Sequence, residues 1–176
     1  MKKHPEERSA KIELVPATPE HAPILENLLE LYIHDFSEFL DIEIGSDGRF
    51  GYKHLSSYWA DLTRHAFLIR VDSRLAGFVL VKTEPAAPGR EAVWDLAEFF
   101  TLRRYRNRGI GTRAAHAVWN LLPGPWQVRV MESNTQAHHF WSTAISRYCG
   151  KSMNFASLEK DGQRWRVFTF ESRHAE

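Results

Sequence analysis

The chain has 176 residues, 43% hydrophobic and 26% charged, with 23 basic and 22 acidic side chains and a formal net charge of +1. That size suits one domain with its own core. The balanced charge argues against a bulk nucleic-acid binder, which carries a strong basic excess. Cys149 is the single cysteine, so no internal disulfide forms. With no CxxC pair, this fits a reducing cytoplasm and no structural zinc.

"MKKHPEERSA" is charged and lacks the apolar core of a signal peptide. Residues 1–10 are expected to be a loose tail, and 11–176 one domain. No stretch approaches the roughly 20 apolar residues of a membrane span. "KIELVPATP" alternates Ile12 and Leu14 with Lys11 and Glu13, which predicts a strand. Thr18-Pro19 reads as a helix start. Ile24, Leu25, Leu28, Leu29 and Tyr32 follow at helical spacing, with Pro23 delaying the first turn. Asp35, Glu38, Asp41, Glu43 and Asp47 then crowd one segment that ends in turn signals. "YKHLSSYWADL" predicts a second short helix.

"HAFLIRVDSRLAGFVLVKTE" predicts a hairpin around Asp72-Ser73-Arg74, and "PAAPG" a loop. "EAVWDLAEFFTL" is long and apolar enough for a central strand covered on both faces. After "RRYRNRGIGTR", the residues Ile110, Ala114, Ala117, Val118, Leu121 and Leu122 share one helical face. Pro123-Gly124-Pro125 stops that helix, and "WQVRVM" is a further strand. Ala137, Phe140, Trp141, Ala144, Ile145 and Tyr148 make another helical stripe, closed by Gly150. A hairpin turning at Asp161-Gly162 ends the chain. The order β-α-(α)-β-β-β-α-β-α-β-β implies an α+β (mixed α/β) fold. Its sheet is mostly antiparallel, with one central parallel β-α-β crossover and helices on both faces.

The stretch Arg103 to Arg113 holds five arginines and two glycines. Read as a nucleic-acid patch, it lacks an accompanying helix-turn-helix, zinc finger or RNP pattern. Read as a dinucleotide fingerprint, "GIGTRA" fits G-x-G-x-x-G/A, and Glu132 lies 23 residues past Gly109. Against that, "RRYRNR" separates the glycines from their strand, and hairpin-linked strands precede them. The third reading is a pyrophosphate loop feeding a helix. Amides at a helix start are unpaired and the dipole makes that end positive. Gly109 and Gly111 would let a phosphate approach the backbone.

"RNRGIG", Arg106 to Gly111, matches the R/Q-x-x-G-x-G/A signature of the Gcn5-related N-acetyltransferase (GNAT) family. "VMESNTQAHHFW" resembles the family's second signature, a strand end and an Asn before A-x-x-F-[YW]. The resemblance covers roughly residues 11 to 170. It implies an acetyl-CoA-dependent N-acetyltransferase acting on a primary amine by direct attack. The backbone of Phe99, Phe100 and Thr101 would pair with the pantetheine arm, in a splayed gap between that strand and "WQVRV". The amides of Arg106, Asn107, Arg108, Gly109, Ile110, Gly111 and Thr112 would hold the pyrophosphate. Asn134 would contact the coenzyme, or simply cap its helix.

A base must take the amine's proton, and Asp95 and Glu98 are the candidates on the central strand. By simple alternation they face opposite sides, Asp95 with Phe99 and Thr101, Glu98 with Phe100 and Leu102. Either would equally serve as a structural hydrogen-bonding carboxylate. The family often has a Tyr where this chain has Trp141, and an indole N–H is no practical acid. The general acid is therefore unassigned. Tyr148, two turns further on, is too far. A coenzyme-A-binding sensor or regulatory module that has lost its chemistry is the alternative reading.

The first helix and following loop would wall the acceptor site, so Glu38 and Asp41 would favour a cationic amine. The same residues would equally suit a solvated loop. Cys149 is read as a packing residue, and His138-His139 diverge too far on a helix to form a metal pair. No metal, nucleic-acid or membrane partner is expected. Homodimers are common among similar folds.

Overall fold

The computed structural model describes residues 10–84 and 92–173. The "PAAPG" loop and nearly all of the N-terminal tail lie outside them. Among the described residues, seven strands form one sheet: β1 (Ile12–Pro16), β2 (Arg64–Val71), β3 (Arg74–Glu84), β4 (Val93–Thr101), β5 (Gly124–Met131), β6 (Phe155–Lys160) and β7 (Gln163–Ser172). Their order is β1-β2-β3-β4-β5-β7-β6. Only β4 and β5 run parallel; every other neighbouring pair is antiparallel.

The helices are α1 (Ala22–Phe36), the single turn α2 (Ser57–Ala60), α3 (Ile110–Leu121) and α4 (Thr135–Cys149). Pro19 opens a short 3-10 turn, Pro19–His21, and Pro23 falls in the first turn of α1, where no amide is needed. The second short helix shrinks to one turn because the backbone turns extended at Asp61. Asp72 and Ser73 both have positive φ, 47° and 65°, the backbone that a tight two-residue hairpin requires. Gly150 ends α4 at φ 67°.

Each face of the sheet carries its own core. Under α3 and α4 lie Val79, Val81, Leu96, Trp119, Trp126, Trp141 and Phe168. Under α1 and α2 lie Leu25, Leu29, Tyr58, Phe78, Leu80 and Phe100. Burying one Leu or Phe stabilises by about 1.5–3 kcal/mol, so these two layers hold the sheet between the helices.

The register of β4 departs from simple alternation. Leu80 of β3 faces Glu98, but the next residue, Val81, faces Leu96. Ala97 is therefore the extra residue of a β-bulge. Asp95 faces Lys82 and Glu98 faces Leu80, two positions apart on β3. Cross-strand partners share a face, so Asp95 and Glu98 project to the same side, with Phe100. Phe99 goes with Leu96 to the α3–α4 side. This corrects the expectation of opposite faces and of Asp95 sharing a face with Phe99.

Candidate functional site

β4 and β5 pair only at Trp94–Trp126 and Asp95–Gln127, and then diverge. Parallel strands that part leave backbone edges open, and a cleft occupies the gap. It has two parts. One, of about 790 Å³, lies against Thr101, Asn107, Gly109, Gly111, Thr112 and Phe140. The other, of about 390 Å³, lies against Tyr52, Glu98, Arg129 and Trp165. Tyr32, Phe99, Asn134 and Trp141 line both parts, so they meet there.

The larger part ends at the start of α3. Asn107 and Gly109 both take positive φ, 59° and 71°, which turns the loop sharply into the helix. The first helical N–H to find a partner in the chain is that of Arg113, on the Gly109 carbonyl at 3.1 Å. The amides of Ile110, Gly111 and Thr112 precede it at the positive end of the helix, and Gly111 and Thr112 line the cleft. A Cβ on Gly111 would sit 3.1 Å from Cζ of Phe140 and 3.7 Å from Cε1 of Phe99. The cradle thus depends on glycine there for space, and at Gly109 for backbone angle. Ile110 turns its side chain into the core, and Arg108 is exposed.

The arginines do other work. Arg106 Nε donates to the Thr101 carbonyl at 2.8 Å. Its Nη2 donates to Oδ2 of Asp35 at 2.6 Å, and Nη2 of Arg103 donates to Oδ1 of Asp35 at 2.6 Å. Partial burial pushes the Asp35 carboxyl up, but the hydrogen bonds from Arg106 and Arg103 outweigh this and hold it below the usual carboxylate range. Asp35, counted with the acidic segment, instead locks the end of α1 to the glycine loop. Glu38 is exposed and lines the larger part of the cleft. Asp41 is exposed and lines neither part.

Asn134 caps α4: its Oδ1 accepts the Ala137 amide at 2.9 Å. Asn134 also borders both parts of the cleft. Trp141 is 7% exposed and meets Phe99 edge-on at 5.0 Å between ring centres. Tyr148 lies at the far end of α4, where its hydroxyl donates to Asn120 Oδ1 at 2.8 Å, outside the cleft. Burial pushes the Cys149 thiol up, in keeping with a packing role.

The two candidate carboxylates differ in their surroundings. Asp95 is fully buried, and Arg129 engages it twice, Nε to Oδ1 at 3.1 Å and Nη2 to Oδ2 at 2.6 Å. Lys82 stands 3.9 Å from Oδ2. Glu98 has no cationic partner within bonding distance among the described residues. Tyr52 donates to its Oε1 at 3.1 Å. Burial pushes the Glu98 carboxyl above the usual range, against hydrogen bonds from Tyr32 and Tyr52 that favour the charged form.

Tyr32, Tyr52, Arg129 and Trp165 were not singled out from the sequence. Tyr32 was legible only as part of the apolar stripe of α1. Tyr52 reaches the site because Glu30 accepts the Phe50 and Gly51 amides at 2.7 and 3.0 Å, pinning the loop to α1.

No curated protein matches the chain. Among solved structures, an acetyltransferase from Thermus thermophilus is 17% identical at a TM-score of 0.66, covering 92% of this chain and 97% of that one. RimL, a ribosomal alpha-N-protein acetyltransferase in complex with coenzyme A, is 13% identical at 0.63, over 93% and 96%. A spermidine N-acetyltransferase SpeG chimera from Vibrio cholerae is 14% identical at 0.57, over 91% and 94%. These likenesses concern the fold. The family model described as Acetyltransferase (GNAT) family matches residues 25–144, the span that holds the bulged strand, the glycine loop and most of α4. With two thirds of its length matched, this chain belongs to the GNAT acetyltransferase family.

Proposed function

We propose that this protein transfers an acetyl group from acetyl-CoA to a primary amine, with Glu98 as general base. The observation that carries this reading is a single cleft with unpaired helix amides at one end and a carboxylate of raised pKa at the other. The Gly111 cradle, which a Cβ would fill, fits a pyrophosphate. The open edge of β4 fits an extended amide-bearing arm, and RimL's complex with coenzyme A is in keeping with this.

Acetyl-CoA supplies the activated acetyl group as a thioester. Amides of Ile110, Gly111 and Thr112 hold its diphosphate, while Phe99 and Trp141 wall the arm. The acceptor enters as an ammonium, and Glu98 takes its proton directly or through one water. The amine nitrogen then bonds to the acetyl carbon and gives up its second proton to solvent as the carbon–sulfur bond breaks, and the sulfur leaves as thiolate. Trp141 offers an N–H but gives up no proton, so solvent protonates the thiolate. Asp95 holds Arg129 and takes no part in proton transfer.

Trp141 also favours a second reading, a coenzyme-A-binding sensor without chemistry. Calorimetric titration with acetyl-CoA, followed by a thiol-release assay across primary amines, separates the two. Binding with amine-dependent thiol release supports the enzyme; binding without release from any amine supports the sensor.

A further inference from the structure

Six aromatic side chains border the smaller part of the cleft: Tyr32, Phe36, Tyr52, Phe99, Trp141 and Trp165. Trp165 stands out among them. Its neighbours along β7, Phe168 and Phe170, are buried in the core under α3 and α4. Trp165 faces the other side, opposite Met131, and packs into neither core among the described residues. A half-buried tryptophan on the lining of a cavity offers apolar area for a ligand to cover.

Tyrosine aside, the ionisable residues on the lining, among those described, are Glu98 and Arg129. Arg129 is engaged by Asp95 and lies 3.8 Å from Glu84, while Lys82 contacts Glu84 at 2.7 Å and Asp95 at 3.9 Å. Two cations thus face two carboxylates and cancel. Among the described residues of the lining, what remains is the negative charge of Glu98. A second ammonium on the acceptor would find Arg129 and no free carboxylate. A carboxylate on the acceptor would meet Glu98, with Arg129 already taken. Asp41 is absent from this lining, and Glu38 borders only the other part of the cleft. The volume, about 390 Å³, lies toward the lower end of the roughly 300–1,000 Å³ usual for small-molecule sites.

Resting on the acetyl-transfer reading, we propose that the acceptor is a small amine with one positive charge and an aromatic body. Its ring packs among Tyr52, Trp165 and Phe36, and its ammonium sits at Glu98, beside the Tyr52 hydroxyl. The Arg129–Lys82–Glu84–Asp95 group, neutral as a whole, leaves no free charge for a second ammonium or a carboxylate, which selects against polyamines and amino acids.

The test uses the full chain with saturating acetyl-CoA and compares 2-phenylethylamine and tryptamine with putrescine, spermidine and phenylalanine. The expected kcat/KM for the aromatic amines exceeds the others by about 30-fold or more. Trp165→Ala is expected to raise KM for 2-phenylethylamine about 10-fold, far more than it lowers kcat. Equal or better use of spermidine or phenylalanine overturns the proposal while leaving acetyl transfer intact. So does a Trp165→Ala variant with unchanged KM. Calorimetric titration of 2-phenylethylamine into the coenzyme-A complex keeps the two ideas apart. Binding without thiol release from any amine supports the aromatic site and retires the acetyl-transfer reading; neither binding nor release overturns both.

Discussion

The Tyr52 hydroxyl donates to Oε1 of Glu98 at 3.1 Å, joining the loop after α1 to the middle of β4 across 46 positions of sequence. The direction of that bond has a kinetic consequence. Burial and the nearby Glu98 charge hold the Tyr52 phenol well above its ordinary range, so it stays a neutral donor. A donor to the charged carboxylate lowers the carboxyl's pKa, partly opposing the effect of burial. The pH profile of kcat should therefore rise through a value above the ordinary glutamate range, about 4.3. Tyr52→Phe is expected to shift that rise to higher pH. Glu98→Gln should lower kcat about 10²–10⁴-fold and flatten the rise. Steady-state thiol release across pH checks both; an unshifted profile in Tyr52→Phe would contradict the hydrogen-bond account.

The same carboxylate costs stability at neutral pH. Its folded-state pKa lies above the unfolded value, so the native state binds the proton more tightly. That contribution is fully present below the unfolded pKa and is lost as pH rises through the folded one. Glu98→Gln, an uncharged isostere, should raise the urea midpoint at pH 7, with the gain vanishing near pH 4. A variant that is less stable at pH 7 would show that the charge is compensated.

Asp95 should behave in the opposite way. Asp95→Ala removes both hydrogen bonds that hold Arg129 and leaves it only Glu84, at 3.8 Å. Arg129 is 25% exposed and keeps Glu84, so the loss falls below the about 3–5 kcal/mol of a fully buried pair and is read as a drop in the urea midpoint. Acetyl-CoA affinity of the folded fraction should change little. A stable Asp95→Ala protein that has lost only kcat would restore Asp95 as a candidate base.

Glycines and arginines of the loop should rank by geometry, not by charge. Gly111→Leu drives side-chain atoms into Phe140 and the cleft and should abolish acetyl-CoA binding by calorimetry. Arg106→Ala frees both the Thr101 carbonyl and one oxygen of Asp35 and should weaken binding several-fold. Arg103→Ala, whose side chain is 76% exposed, should be near neutral. The reverse order would mean that the arginines bind phosphate as an electrostatic patch.

Much of this was readable from local pattern. The strand-to-loop-to-helix passage from Val93 to Leu121 follows from an apolar run, two glycines and a helical stripe, all short-range signals. The N-cap role of Asn134 is equally local. What escaped depends on long-range placement. An inserted Ala97 carries no composition signal, yet it moves Glu98 to the face of Asp95. Asp35 reads as one more acid until the fold brings Arg103 and Arg106 to it across 68 and 71 positions. Arg129, on the neighbouring strand, settles which carboxylate is already engaged, and nothing within β4 announces it.

Amine-dependent acetyl transfer is tested most directly by incubating the protein with acetyl-CoA and a panel of primary amines, then counting released thiol and acetylated amine by mass spectrometry. The expected result is one acetylated amine per thiol released, lost in Glu98→Gln while acetyl-CoA still binds. Acetyl-CoA binding with no acetylated product from any amine, or full turnover in Glu98→Gln, would contradict it.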